Sequence, residues 1–327
     1  MECWELLPKD FLKKTEKLFS KDTYGRILTS FCAKRPTTIR ANPLKITPED
    51  LAHQLKSLGF EVEPVPWYGS AFVLTSGTLR ALTEAVVYKE GFLYVQSLSS
   101  MIPPLILAPK EGEKVLDIAA APGSKTTQIA ALTGNTGEIV ANDISQIRLY
   151  RLQANLTLQG VTNTKVQKGL AETIWKTYPE YFDKVLVDAP CSMEGRFYSE
   201  EPKSYKDWST RKVKELAEKQ RWMLRSAISA TKPGGTIVYS TCTLSPEENE
   251  GVIDWILKKE KGNIVLENIS LTGFSFDPTV AKWGDKIYNP EITKCARIYP
   301  TQNMEGFFVA RIRKLRSTVP GSAKAIS

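Results

Sequence analysis

The stretch VLDIAAAPGSKT at residues 115–126 decides the fold of this chain. Its apolar beginning, up to Ile118, is typical of a buried strand, and a run of small residues leads from it into a helix that contains Ile129 and Leu132. Small residues before a helix N-terminus allow a ligand to approach the backbone closely. The stretch therefore predicts the first strand, ligand-binding loop and helix of an α/β domain.

The same pattern of strand followed by helix continues towards the C-terminus. Apolar runs predict four further strands, at residues 138–141, 164–166, 184–187 and 236–239. Between the first two of them, Ser145 and Gly160 mark the beginning and the end of a helix whose leucines recur at helical spacing. This alternation predicts a doubly wound parallel sheet with helices on both faces.

The loop after the first strand resembles phosphate-binding loops but lacks their glycines. Lys125 and Thr126 imitate the end of such a loop, yet Ala119 and Ser124 stand where its glycines are needed, and no G-x-G-x-x-G is present either. A nucleoside without a polyphosphate is the ligand that remains. Asp143, at the end of the second strand, is suitably placed to accept hydrogen bonds from a ribose diol, although it could instead cap the next helix. S-adenosylmethionine is the common nucleoside that suits such a loop.

Composition restricts the class of protein. The 327 residues contain 44 Lys and Arg against 36 Asp and Glu, a formal charge of +8 that makes polyanions plausible partners. No apolar run approaches the roughly 20 residues of a membrane span, and the first ten residues lack a secretory core. The sole histidine, His53, argues against Ser-His and Cys-His catalysis. The five cysteines are scattered along the chain: Cys3, Cys32, Cys191, Cys242 and Cys295. They form neither a disulfide framework nor a zinc spacing, so we expect a cytoplasmic protein without metal.

The region before the main domain reads as a small α+β unit. Thr47 and Pro48 provide the cap and first residue of a helix between two extended segments, an arrangement that resembles half of a ferredoxin-like fold. We expect an N-terminal helical segment at 1–36, a small RNA-binding α+β domain at 37–88, the main domain at 89–316 and a flexible tail at 317–327.

Two cysteines each follow a predicted strand. Asp188-Ala189-Pro190-Cys191 comes after the run at 184–187, and Ser240-Thr241-Cys242 after the run at 236–239. The carboxyl ends of parallel strands are where such sheets bind ligands, so both thiols are candidates for a functional site. The alternative is that both are small buried hydrophobic residues, as most free cysteines are.

An ordered set of motifs in this chain resembles the NSUN-type (Sun-domain) RNA cytosine-5 methyltransferases. Its members are Gly91-Phe92-Leu93-Tyr94-Val95-Gln96, Ser99-Ser100-Met101, residues 115–126, Asp188-Ala189-Pro190-Cys191-Ser192, Pro233-Gly234-Gly235, Tyr239-Ser240-Thr241-Cys242-Thr243, Glu247-Glu248-Asn249-Glu250 and Gly306-Phe307-Phe308-Val309-Ala310. The resemblance covers about Arg40 to Lys314 and implies a class I Rossmann-like methyltransferase fold. One expected feature is not evident, because no acidic residue stands at Gly169-Leu170-Ala171, after the third strand, where the family's adenine contact would be.

The resemblance also implies a reaction and a set of site residues. S-adenosylmethionine would give its methyl group to C5 of a cytosine in RNA, with Cys242 bound covalently to C6, Cys191 assisting the later steps and Lys125 contacting the base. From its place at the strand end, we expect a protonated Asp188 to donate a hydrogen bond to cytosine N3, with a structural cap in the Asp-Ala-Pro turn as the alternative. The residues expected to bind the cofactor are Ala119, Ala120, Ala121, Pro122, Gly123, Ser124, Lys125, Asp143, Arg148 and Asp188.

The choice between the two cysteines has an argument from the residues as well. A Pro-Cys segment, as in DNA cytosine-5 enzymes, would nominate Cys191 as nucleophile, whereas the resemblance nominates Cys242. Ser245, Pro246 and Glu248 form a capping box that predicts a helix just beyond Cys242, and a helix N-terminus favours a thiolate.

RNA is the expected partner of a protein that we expect to be monomeric. Predicted contacts are Arg40 and Asn42 in the small domain and Arg311 and Arg313 in a basic, alternating segment that reads as an edge strand or a phosphate contact. Ribosomal RNA is favoured over transfer RNA because no transfer-RNA-specific appendage is visible. The alternative function is a non-catalytic RNA-binding ribosome assembly factor that retains the fold.

Overall fold

Two β-sheets organise residues 2–319, the part of the chain that the structure, a computed structural model, describes. Residues 320–327 of the predicted tail lie outside the described residues. The strands are β1 (Thr38–Ala41), β2 (Glu61–Val65), β3 (Tyr68–Ser76), β4 (Leu93–Val95), β5 (Lys114–Asp117), β6 (Glu138–Asp143), β7 (Thr164–Lys168), β8 (Phe182–Asp188), β9 (Thr231–Thr241), β10 (Ile264–Glu267), β11 (Lys282–Trp283), β12 (Lys286–Ile287), β13 (Ala296–Ile298) and β14 (Phe307–Lys314). The helices are α1 (Lys9–Leu18), α2 (Lys21–Ser30), α3 (Pro48–Ser57), α4 (Leu79–Glu84), α5 (Val86–Lys89), α6 (Leu98–Leu107), α7 (Ser124–Leu132), α8 (Gln146–Leu158), α9 (Thr210–Ala230) and α10 (Glu250–Lys259).

The larger sheet has the order β10-β14-β9-β8-β5-β6-β7, and β13 pairs with β14. Strands β5 to β9 are parallel, as predicted, while β14 runs antiparallel between β9 and β10. Strand β5 has β6 on one side and β8 on the other, so the direction of winding reverses there and opens a crevice at the carboxyl ends of β5 and β8. The predicted class I Rossmann-like fold is confirmed.

Helices cover both faces of this sheet because its central strands are apolar on both sides. Val185 and Val187 of β8 pack in one cluster, which also contains Met223 of α9. Leu186, between them, packs in a second cluster, which also contains Ile102 of α6. Alternation along a strand that is covered on both faces explains why these runs read as continuously apolar.

The smaller sheet belongs to the N-terminal domain and has the antiparallel order β2-β3-β1-β4. With α3 after β1 and α4–α5 after β3, this is the complete βαββαβ arrangement of a ferredoxin-like fold. The predicted cap is present, since Thr47 Oγ1 accepts a hydrogen bond of 3.1 Å from the Asp50 amide. The sheet extends to Val95, beyond the predicted domain boundary at residue 88.

The N-terminal helical segment packs beneath the loops that follow β8 and β9. Phe11 of α1 lies edge-on to Phe197 with ring centroids 4.8 Å apart, and Leu244 belongs to the same buried cluster. One prediction is corrected in this segment, because Cys3 and Cys32 form a disulfide with a Cα–Cα distance of 5.8 Å. The two cysteines are 29 positions apart in the chain, and α1 and α2 bring them together.

Candidate active site

The two strand-end thiols lie side by side. Asp188 and Ser240 are paired in register, and the chain continues from each into a loop that carries one cysteine. Cys191 Sγ and Cys242 Sγ are 3.3 Å apart, and the Gly195 amide donates a 3.0 Å hydrogen bond to the Cys242 carbonyl, which joins the two loops. The parallel pairing of β8 with β9 therefore brings together the two cysteines that the sequence singled out.

The two thiols differ in accessibility. Cys191 is buried, whereas Cys242 is only partly buried, and both line the same cavity. The hydrogen bond with Cys242, followed by burial, raises the pKa of Cys191 well above its usual value. Cys191 is consequently held as a protonated thiol, and Cys242 is the sulfur that is open to a reacting molecule.

Asp188 and Lys125 form an ion pair in the crevice. Lys125 Nζ lies 2.6 Å from Asp188 Oδ2 and donates a 2.7 Å hydrogen bond to Ser100 Oγ. Ser240 Oγ donates to the other carboxylate oxygen at 2.9 Å. Asp188 thus acts as an acceptor on both oxygens, and Lys125, which has three donors, keeps one for a ligand. The expected hydrogen bond from Asp188 to the base is not supported by this arrangement, because both of its oxygens accept from protein groups.

A cavity of about 710 Å³ extends from the thiols along the loop after β5 to the end of β6. Ala119, Ala121, Pro122, Ser124 and Lys125 line it; Ala120 and Gly123 are not among its lining residues. Small side chains leave this wall open, so the loop can lie directly against a ligand.

Asp143 and Arg148 form the far wall of the cavity. Asp143 is 2% exposed; its Oδ2 lies 3.1 Å from the Arg148 guanidinium and accepts a 3.3 Å hydrogen bond from the Ala121 amide. Its Oδ1 accepts a 2.9 Å bond from the Ser145 amide, so the alternative capping role is present too. These three donors do not exhaust the four acceptor positions of a carboxylate, which leaves room for a hydroxyl group.

The sequence analysis missed the acidic residue beyond the third strand. Glu172 lines the cavity near Lys219, which is 3.9 Å away, and it stands one residue past the segment that was searched. Its position in a 3₁₀ helix, Ala171–Lys176, gave no periodic signal. Asn142, whose buried Oδ1 finds no hydrogen-bond partner among residues 2–319, also lines this end.

The acceptor oxygens around the cavity fit a cationic nucleoside better than a polyphosphate. Asp143 and Glu172 are available to hydroxyl and amino groups, whereas Lys125 and Arg148 are already engaged with carboxylates. Asn142 Oδ1 is a further buried acceptor that a ligand amine would satisfy. The residues present therefore fit S-adenosylmethionine.

The prediction of a helix capped by Ser245 and beginning at Pro246 is wrong. Helix α10 begins at Glu250, and residues 246–249 form a turn. Glu248 is drawn away from its own backbone to the Cys191 loop, where Oε2 accepts hydrogen bonds from the Ser192 amide at 3.0 Å and from Gln220 Nε2 at 2.8 Å. The glutamate thus joins the two cysteine loops, and no helix N-terminus begins where the capping box placed one.

Substitution of Glu248 with glutamine is expected to make stability less dependent on pH. Burial, followed by the charge of Glu194, raises the pKa of Glu248 to about 7, so the unfolded chain loses this proton near pH 4.5 while the folded chain keeps it. The free energy of unfolding should consequently fall by roughly 2–3 kcal/mol as the pH rises from about 4.5 to about 7. In Glu248→Gln, which imitates the protonated acid, most of this fall should disappear when urea unfolding is compared at pH 5 and pH 7.5.

The matched control for this experiment is Glu84→Gln. Glu84 is exposed on α4 and paired with Arg80, so its removal should leave the pH dependence of the wild type unchanged. Burial also raises the pKa of Asp117 to about 7, which gives both proteins a residual fall of the same sign. An undiminished fall in Glu248→Gln would contradict the prediction.

Two predicted RNA contacts are corrected because their side chains are buried. Arg40 is 0% exposed, and it donates hydrogen bonds of 2.9 Å to Gln96 Oε1 and to Thr127 Oγ1 of α7. Asn42 donates to the carbonyls of Gly91 and Gln159. Both residues join the N-terminal domain to the main domain, so neither is available to RNA in this structure.

The other two predicted RNA contacts lie away from the cavity. Arg311 and Arg313 donate to the carboxylate of Glu267 at 2.8 Å and 2.9 Å, respectively. They lie on β14 opposite Val238 and Thr236, at the other end of β9 from Cys242. The expectation of an edge strand is wrong, because β14 is paired on both sides, and a phosphate contact at these arginines remains a prediction.

Neither a metal centre nor a membrane span is evident in residues 2–319. No group of three or more His, Cys, Asp and Glu side chains in that range is arranged to hold a metal ion. None of its helices combines the length and the apolar character needed to cross a membrane.

Comparison with protein families shows matches to both domains. Residues 104–313 match the family model described as 16S rRNA methyltransferase RsmB/F. Residues 7–98 match the model described as the N-terminal domain of 16S rRNA methyltransferase RsmF. The second match extends past β4, in agreement with the smaller sheet.

Individual relatives are similar over most of this chain. It is 39% identical over 323 residues to ribosomal RNA small subunit methyltransferase F of Vibrio atlanticus, which covers 97% of this chain and 66% of that protein. It is 38% identical over 317 residues to tRNA (cytosine(49)-C(5))-methyltransferase of Pyrococcus abyssi, covering 96% of this chain and 99% of that one. The chain thus spans just under two thirds of the bacterial relative and nearly all of the archaeal one.

One solved structure has a similar fold over nearly the whole of this chain. NSun6 from Pyrococcus horikoshii, determined with SFG, superposes with a TM-score of 0.83 at 26% identity, covering 95% of this chain and 99% of that one.

Proposed function

The chain belongs to the 16S rRNA methyltransferase RsmB/F family, and on that basis we propose that it transfers a methyl group from S-adenosylmethionine to C5 of a cytosine in RNA. The family that the sequence motifs resembled is confirmed. The observation that supports the reaction most directly is the pair of sulfurs, 3.3 Å apart at the ends of adjacent parallel strands and facing a cavity that suits a nucleoside.

Cytosine C5 is a weak nucleophile until a thiolate adds to C6. When bound, S-adenosylmethionine supplies an electrophilic methyl group. Cys242, the more accessible sulfur, forms the bond to C6 and makes C5 electron-rich enough to attack that methyl group. The base reaches the cavity only if it leaves its stack, at a cost of a few kcal/mol.

Lys125, Asp188 and Cys191 assist this reaction. Asp188 and Ser100 hold the Lys125 ammonium, and its remaining N–H donates to the cytosine ring while negative charge develops there. Water then takes the C5 proton, and the electrons of the C5–H bond form the C5–C6 double bond. The bond from Cys242 to C6 breaks at the same time, and its electron pair leaves on the sulfur. Cys191, held as a protonated thiol beside that sulfur, supplies a proton to it.

Ribosomal RNA is the proposed substrate class, with transfer RNA as its alternative. Both family models carry ribosomal RNA descriptions, and the archaeal relative carries a transfer RNA name. The cytoplasmic location and the monomeric state stay predictions.

A labelled-methyl assay tests the proposed function. Purified protein and methyl-labelled S-adenosylmethionine are incubated separately with ribosomal RNA and transfer RNA from a strain that lacks the gene. Label is expected in ribosomal RNA, as 5-methylcytidine after nuclease digestion, and bisulfite sequencing locates the modified cytosine. Label found only in transfer RNA would make transfer RNA the substrate class. An N-methylated base as product would contradict methylation at C5. No transfer to any RNA would favour the non-catalytic assembly factor.

Removal of the Asp143 carboxylate is expected to weaken cofactor binding. Asp143→Ala should weaken the binding of S-adenosylmethionine by roughly 1–3 kcal/mol, the usual cost of removing a charged acceptor from a buried hydroxyl group. Calorimetry measures the change, and RNA affinity should hardly differ. The control is Asp183→Ala, at the opposite end of β8, where the carboxylate pairs with Lys232. An unchanged dissociation constant in Asp143→Ala would leave this residue with only its structural contacts, to Arg148 and to the Ala121 and Ser145 amides.

A further inference from the structure

Arg196 lies on the turn that borders the two thiols. The amide of Gly195, the residue before it, donates a hydrogen bond to the Cys242 carbonyl at 3.0 Å, and the Gly195 carbonyl accepts one from the Gly306 amide at 2.9 Å. Arg196 lines the same cavity as Cys191 and Cys242. Its backbone is therefore fixed to the nucleophile's own loop.

The guanidinium of Arg196 is only partly engaged. Its Nε donates a 3.1 Å hydrogen bond to Glu305 Oε1, and Ser97 Oγ donates at 3.0 Å to the other oxygen of that carboxylate. Within residues 2–319 no acceptor bonds the two terminal nitrogens, and the side chain is 53% exposed. Glu305 thus holds the guanidinium through Nε, and the two terminal nitrogens stay free to bind a ligand in the cavity.

The guanidinium of Arg196 has more unused donors than two other cations on the cavity wall, Lys125 and Arg148. Lys125 is 9% exposed and paired with Asp188, and the Arg148 guanidinium contacts both Asp143 and the Ala121 carbonyl. Glu305 first, and then the neighbouring Cys242 and Cys191, raise the pKa of Arg196, so a charged guanidinium lines the cavity that the thiols also line. Arg35, whose Nε donates to the Met304 carbonyl, adds a second positive charge next to Glu305.

The chemistry of cytidine indicates which group would meet this cation. C6 is bonded to N1, which carries the ribose, and in the usual anti orientation the C6 edge of the ring faces the 5′ side of the sugar. A sulfur that attacks C6 therefore approaches next to the 5′-phosphate of the same nucleotide. The planar fork of an arginine matches two oxygens of a phosphate.

We propose that Arg196 binds the 5′-phosphate of the target cytidine and so positions C6 against Cys242. This inference rests on the proposed function, since it assumes that a cytidine occupies the cavity. It assigns a substrate phosphate subsite to the turn that follows Cys191.

Protection of Cys242 from alkylation tests the subsite without requiring turnover. The rate at which iodoacetamide modifies Cys242 is measured by mass spectrometry with increasing cytidine 5′-monophosphate, cytidine 3′-monophosphate or cytidine. In the wild type, half-protection should need about tenfold less of the 5′-monophosphate than of the other two compounds, as expected for one bond to a charged group. In Arg196→Gln the three compounds should protect alike.

The matched control is Arg211→Gln. Arg211 on α9 also donates through Nε to a glutamate, Glu215, at 2.8 Å, but it lines no part of the cavity. This variant should keep the preference for the 5′-monophosphate. Equal protection by all three compounds in the wild type, or no protection by any of them, would overturn the subsite. A preference for the 5′-monophosphate that survives in Arg196→Gln would overturn it too.

The salt dependence of RNA binding provides an independent measurement on the full substrate. Arg196→Gln should neutralise one RNA phosphate fewer than the wild type. The slope of log K for RNA binding against log salt concentration should therefore be smaller by about 0.7 in this variant. The double charge reversal of Arg311 and Arg313 tests those predicted contacts in the same assay.

The protection experiment and the methyl-transfer assay distinguish the two proposals. A preference for the 5′-monophosphate without methyl transfer would retain the subsite and refute the proposed function. Methyl transfer without that preference would refute the subsite and retain the proposed function.

Discussion

Methyl transfer is expected to be lost in Cys242→Ala. Without the sulfur that adds to C6, cytosine C5 has no route to sufficient nucleophilicity, so labelled-methyl transfer should fall by roughly four orders of magnitude or more, as when other covalent nucleophiles are removed. Binding of S-adenosylmethionine should stay within about threefold by calorimetry, because the thiol acts on the base. No covalent protein–RNA complex should form.

Cys295→Ala is the matched control for this variant. Cys295 is a free, buried cysteine in the cluster under β9 and β14, and it does not line the cavity. Its replacement should leave turnover close to that of the wild type. Retained turnover in Cys242→Ala would remove this residue from the nucleophilic role.

The second large effect is expected in Cys191→Ala. Loss of the thiol that protonates the departing sulfur should slow release of the adduct by about two to four orders of magnitude, the range of general acid–base catalysis. A covalent complex with methylated RNA should therefore accumulate and be visible on a denaturing gel. In the wild type the same complex should be short-lived.

The pair of variants distinguishes between three arrangements of the thiols. Adduct in Cys191→Ala and none in Cys242→Ala supports the roles given above. The reverse pattern would make Cys191 the nucleophile, as the Pro-Cys segment alone suggested. Adduct in neither variant would leave Cys191 without a role in release.

Much of this site could be predicted because its residues are held by local patterns and strand pairing. The apolar runs before Cys191 and Cys242 indicated parallel neighbours, and parallel neighbours place the residues after them at one edge of a sheet. The loop at residues 115–126 was visible from its small residues alone. Sequence periodicity reports such features directly, since each depends on a few consecutive positions.

Most of the wrong predictions concern partners that are distant in the chain. Glu248 left its capping box for Ser192 and Gln220, and a local rule cannot detect that competition. Arg40 looked like an exposed cation, yet α7 and Gln96 enclose it. The Cys3–Cys32 bond depends in the same way on how two separate segments pack against each other, which no local pattern in the sequence indicates.

The contacts of Gly195 have a consequence for how the protein is made. A chain synthesised from its N-terminus contains β5 to β9 well before Gly306 and β14 have been made. During that period the Cys191 loop lacks its hydrogen bond from the Gly306 amide, and β9 lacks its pairing with β14. Pairing over such sequence distances is slow to form. The two sulfurs should therefore reach their final spacing only after residue 314 has emerged, and nascent chains released earlier should hold reactive, unaligned thiols and no activity.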